Sequence, residues 1–148
     1  MAQVDFYVLP ENGKQEHFVC ALIQKAWKQG NNIFINTRSE TEAAALDDLL
    51  WTFKDISFLP HCLASNNNNE NSPIVIGHDN QMNALIPEHT AIMLNLTDQI
   101  PQDMSKVERV LEIVAGSESE RQQARKRYAD YRDQGHELNN HKIESNDR

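Results

Sequence analysis

The residues best suited to do chemistry in this chain lie near its end. Arg121, Arg125, Tyr128 and Arg132 follow one another at helical spacing in the stretch "RQQARKRYADYR". On a helix turning about 100° per residue they fall within roughly 60° of one another, over three turns. Lys126 and Asp130 point the other way, and Ala124 and Tyr131 lie toward the side a core would take. The guanidinium forks suit carboxylates bidentately, and the tyrosine offers an apolar wall with a polar edge. A matching partner would carry clustered carboxylates and an apolar anchor. A peptide ending in an aromatic residue would add its own α-carboxylate. The competing reading is an ordinary solvated helix face.

The distribution of charge favours the first reading. The whole chain of 148 residues has a net charge of −8. Between residues 121 and 132 there are five basic residues against one acid, so the remainder carries −12. Such a body repels large anions at long range, which argues against a DNA-coating protein. A short acidic peptide could still reach the cationic stretch.

These residues need a scaffold. The length suits one domain, able to bury a core without disulfides or metals. "VDFYVL" (4–9) reads as a strand ended by Pro10 and Asn12-Gly13. In "KQEHFVCALIQKAWKQG", Phe18, Val19, Leu22, Ile23 and Ala26 share a helical face, and Gly30 fits a stop. "NNIFINT" reads as a second strand. After Ser39 comes a helical segment with the stripe Leu46, Leu49, Leu50 and Phe53. "SFLPHCL" is irregular or a short strand interrupted by Pro60, and "SNNNNENSP" is a loop by composition. "IVIGH" and "AIMLNL" are further strands. "KVERVLEIVAG" leans toward a buried strand through its β-branched residues, although helix periodicity also fits. Ser117 and Glu120 have capping-box spacing, so a helix begins there and stops near Gly135. The alternation predicts a single α/β domain, Rossmann-like, with a mostly parallel sheet flanked by helices. It spans 1–138, and 139–148 is expected to be a polar tail that frays.

Such a fold invites a nucleotide, yet the motifs are missing. A phosphate-binding loop around Gly13-Lys14 would need glycine at position 8 and Ser or Thr at position 15, which hold Val8 and Gln15. Neither G-x-G-x-x-G nor G-x-S-x-G occurs. The six histidines are dispersed without H-x-x-x-H, and there is no C-x-x-C, so neither a metal site nor a cofactor is expected. His61-Cys62 and His78-Asp79 are adjacent pairs whose simplest reading is loop or strand chemistry without a ligand. Cys20 and Cys62 read as reduced, buried thiols of a cytoplasmic protein. The N-terminus lacks the pattern of a signal peptide, and no apolar run approaches the ~18 residues of a membrane span.

Trp51 lies about 140° from Leu46 on its helix. It therefore leaves the main core face, close to Phe58 and Pro60. These three form either a satellite core or an exposed apolar docking patch.

Several pieces together carry a resemblance: "FYVL", "AWKQG", "LDDLLW" followed by "SFLPH", and "ARKRYADYR" followed by "GHEL". In this order, from about residue 4 to residue 138, the chain resembles the chi subunit family of the bacterial DNA polymerase III clamp-loader assembly. The resemblance implies an α/β fold without a phosphate loop and without catalysis of its own. It implies a link between the clamp loader and single-stranded DNA-binding protein, made by gripping that protein's acidic C-terminal tail. By position the tail-binding residues correspond to Val114, Arg121, Arg125 and Tyr128. Where the family has a basic residue just after the tyrosine, this chain has Ala129, and Arg132, one turn on, could compensate. The resemblance further implies that Trp51, Phe58 and Pro60 dock the psi subunit, and it allows a helicase-like partner on that same face. The rival readings are a nucleotide-dependent Rossmann-like enzyme and a direct nucleic-acid binder using the basic helix.

Overall fold

The computed structural model describes residues 3–10, 15–52, 61–63, 73–78, 90–97, 100 and 107–143. The strands are β1 (Gln3–Val8), β2 (Ile33–Thr37), β3 (His61–Leu63), β4 (Ile74–His78), β5 (Ile92–Asn95), β6 (Arg109–Val114) and β7 (Glu137–Lys142), of which β1, β2, β4, β5 and β6 come from apolar runs. The helices are α1 (Gln15–Lys28), α2 (Glu40–Thr52) and α3 (Glu118–Asp133). The described strands form one sheet in the order β3-β4-β2-β5-β6-β1-β7. Every neighbouring pair is parallel. The expected α/β domain is therefore present, and the ambiguous "VERVLEIV" stretch resolves as β6, an inner strand between β5 and β1, whose β-branched side chains suit a strand buried on both faces.

Because side chains alternate along a strand, the sheet has two distinct faces. Val19, Cys20 and Ile23 of α1 and Leu46 and Leu50 of α2 pack on one, against Ile35, Ile76, Leu94 and Leu111. On the other, Ala124 and Tyr131 of α3 pack against Val4, Phe6, Met93, Val110 and Val114. Burial and the nearby Glu16 push the Cys20 thiol up to about 11, as befits an inert core sulfur. The side chain of Cys62 lies outside the described residues.

The end of the chain differs from expectation. Instead of fraying beyond residue 138, the segment Glu137–Lys142 forms β7, parallel to β1. Its composition gave no alternation to read. What holds it is tertiary: β1 supplies the hydrogen-bonding edge, and the His141 ring stacks on Tyr7 with centroids 4.7 Å apart. His141 Nε2 also reaches the buried Asp5 carboxylate at 3.1 Å. Arg109 Nε donates to the other Asp5 oxygen at 2.5 Å, and Gln3 contributes a longer bond. Burial pushes the Asp5 carboxyl up, but Arg109, His141 and Gln3 together outweigh it and hold the group below its ordinary value.

Candidate peptide-binding face

The candidate face rides on α3, so the question is what fixes that helix in place. Its start is set by Ser117, an extended residue whose Oγ accepts a hydrogen bond from the Glu120 N–H at 3.2 Å. That is half of the expected capping arrangement. Its end is set by Gly135 at φ +87. The Gly135 N–H bonds to Arg132 O and the His136 N–H to Tyr131 O, the double closure of a Schellman motif. The rings of Tyr131 and His136, 6.0 Å apart edge to face, provide the side-chain contact that accompanies it.

Between these ends α3 buries only Ala124, Arg127 and Tyr131. Two of the three converge on one carboxylate. Arg127 Nε donates to Glu112 Oε1 at 3.1 Å, and Tyr131 OH donates to Glu112 Oε2. The Asn95 amide donates to the same Oε2 at 2.8 Å, and the Asn36 amide donates in turn to Asn95 Oδ1. Asn36, Asn95 and Glu112 stand in register on β2, β5 and β6, so the network is a polar row across three central strands. Glu112 is completely buried. Desolvation pushes its carboxyl up, against the pull of Arg127, Tyr131 and Asn95. Burial and the Glu112 charge push the Tyr131 phenol up as well.

Sequence reasoning missed this clamp. It counted Arg127 in the surface charge of residues 121–132, whereas the side chain is buried and neutralised by Glu112. Two signals were available. The angular position of Arg127 is closer to Ala124 and Tyr131 than to the arginine stripe. An acid in the middle of the apolar run "VLEIV" also requires a buried cation or donors.

The structure brings the residues of the stripe together along the edge of this buried face. Tyr128 is half-buried, its ring 5.4 Å from Phe6, and it packs against the apolar cluster that includes Val114. Val114 is itself buried and can serve only as the floor of a pocket. Arg121 is half-buried, and its Nε is shielded from solvent with no hydrogen-bond partner among the described residues. Arg125 and Arg132 are exposed, and each makes a loose surface ion pair, with Glu118 at 3.5 Å and with Asp133 at 3.7 Å. Such pairs are weak and readily exchanged. Ala129 is half-buried beside the stripe. Trp51 lies in the last turn of α2, with its side chain outside the described residues, as are Phe58 and Pro60.

The family model for the DNA polymerase III chi subunit, HolC, matches residues 1–139. The chain belongs to the DNA polymerase III chi subunit family. A DNA polymerase III subunit chi from Pseudomonas aeruginosa is 32% identical over 145 residues, covering 97% of this chain and 98% of that protein. The chi subunits of Haemophilus influenzae and Escherichia coli are 28% and 27% identical, over 93% and 94% of this chain and 95% and 97% of their own. The chi family is a non-catalytic, accessory component of the polymerase holoenzyme. Among the described residues no group of three His, Cys, Asp or Glu is arranged to hold a metal ion. No described helix is long and apolar enough to cross a membrane.

Proposed function

We propose that this chi-family chain is the adaptor through which the polymerase III clamp loader holds single-stranded DNA-binding protein, and that it does so by capturing that protein's acidic C-terminal tail on α3. Arg121, Arg125 and Arg132 meet the carboxylates, while Tyr128 and the Val114 floor receive the apolar end of the tail. The observation that carries the reading is the state of Arg121. A half-buried guanidinium whose Nε has no acceptor among the described residues, about two turns along the same helix face from the Tyr128 wall, offers a place for an incoming carboxylate. We also assign psi docking to Trp51, Phe58 and Pro60, by analogy within the family.

Exposed charge contacts contribute about 0.2–1 kcal/mol each. The apolar anchor must therefore supply much of the binding, and an affinity near micromolar, roughly −8 kcal/mol, is expected. Isothermal titration of the full chain with the acidic tail peptide tests this. Removing the terminal aromatic residue of the peptide should weaken binding more than Arg125→Ala, whose effect should be about two- to fivefold. A peptide that binds equally well after both changes would show that α3 is not the site.

A further inference from the structure

A second concave site lies at the carboxyl ends of the sheet strands, lined mainly by α1 and α2 and reached by Glu120 at the start of α3. In the strand order, β2 leads through α2 toward β3 on one side, whereas β5 leads to β6 on the other. The carboxyl ends of β2 and β5 therefore form a topological switch point, the place where open α/β sheets hold ligands. The structure has a cavity of about 680 Å³ there, bounded by Thr37 and Arg38 at the end of β2, Leu96 beyond β5, and the facing sides of α1 and α2. That volume is in the range of genuine ligand pockets.

Its lining is two-part. Val19, Leu46, Leu49 and Leu96 give an apolar floor. Among the described residues around them stand four carboxylates, Glu16 on α1, Glu42 and Asp48 on α2 and Glu120 on α3, against one guanidinium, Arg38. Arg38 itself lies 4.0 Å from Glu42. The usual occupant of such a crevice is a nucleotide, whose phosphates need backbone N–H groups and cations. This rim would repel it. The carboxylates are also spread out: Asp48 lies six positions after Glu42, about 9 Å along the helix axis, and the others sit on two further elements. Among the described residues no three of them are grouped to hold a metal ion.

We propose that this crevice docks a basic polypeptide segment, one that presents apolar side chains to the Val19–Leu49–Leu96 floor and lysines or arginines to the rim. Apart from Glu120 in the first turn of α3, its lining belongs to α1, α2 and the ends of β2 and β5, and it takes a partner opposite in charge to the one proposed for the arginine stripe.

The test is a titration of the isotope-labelled full chain, followed by amide NMR, with a short synthetic lysine–leucine peptide. Its aspartate–leucine counterpart and spermine serve as the other arms. The lysine–leucine peptide should shift resonances of Val19, Leu46, Leu49 and Leu96 together. Glu16→Lys/Asp48→Lys should weaken it at least tenfold. Leu49→Asn, which leaves the charge intact, should weaken it severalfold. Glu108→Lys/Glu137→Lys, with the same change in net charge at exposed positions elsewhere, should leave it within about twofold. Shifts scattered over the surface, equal losses in both charge-reversed variants, or binding of spermine as tight as that of the peptide would each overturn the proposal.

Discussion

Gly135 holds φ at +87, and a Cβ added there would meet nothing within 4 Å. The cost of Gly135→Ala is therefore purely conformational, about 1 kcal/mol. In a domain of this size it should lower the melting temperature by about 2–4 °C in calorimetry, with no change in the network around Glu112. Asp5 makes a different demand. Its carboxyl is held below the ordinary value, so it binds protons less readily in the folded chain than in the unfolded one. The stability it confers is present above the unfolded value, near 3.8, and is lost as pH falls through the folded value. Asp5→Asn should cost about 2 kcal/mol in urea unfolding at pH 7. The gap to the parent chain should narrow when the titration is repeated near pH 3, and a gap that widened in acid would contradict the assignment of charge to Asp5.

At the scale of the element, α3 is a polar helix pinned by one buried carboxylate. Arg127→Met removes the cation and leaves Glu112 buried without its charge partner, a change that typically costs about 3–5 kcal/mol. Removing both charges in Glu112→Leu/Arg127→Met should recover most of that loss, because the desolvation of the pair disappears with it. Chemical denaturation of the two variants and the parent checks the sign of the coupling, and additive losses would show that the two side chains do not act as a pair. The same helix shows what local sequence encodes. Ser117 and Gly135 set its ends through caps made within a few residues, so both boundaries were readable. β6 was readable too, once the β-branched Val110, Ile113 and Val114 were weighed against helix periodicity. The arginine stripe was readable because it is periodic along one element. The Glu112–Arg127–Tyr131 clamp was only hinted at, by the angular position of Arg127 and the acid within the apolar run of β6, because it exists only when β6 and α3 are brought together. β7 was hidden for the same reason: "ELNNHK" becomes a strand through β1, Tyr7 and Asp5, all near the other end of the chain.

For the whole molecule, the long-range field and the local contact have opposite signs. The chain carries −8, and its cationic stretch is weaker outward than the formal count, since Arg127 is neutralised inside. An approaching acidic peptide is first repelled by the body and meets the arginines only at close range. Between about 0.01 M and 0.15 M salt the Debye length shrinks from about 30 Å to about 8 Å. The repulsion fades over that range before the peptide reaches α3, so the association rate constant should stay level or rise modestly. Once the peptide is seated, salt competes for the guanidinium forks and the dissociation rate should increase. On the proposed binding mode the apolar contact with Tyr128 and Val114 would be insensitive to screening, so affinity should decline without vanishing. Stopped-flow measurements with a fluorescent acidic peptide separate the two rates. An association rate that dropped steeply with salt would mean that α3, rather than the anionic body, governs the approach of the partner.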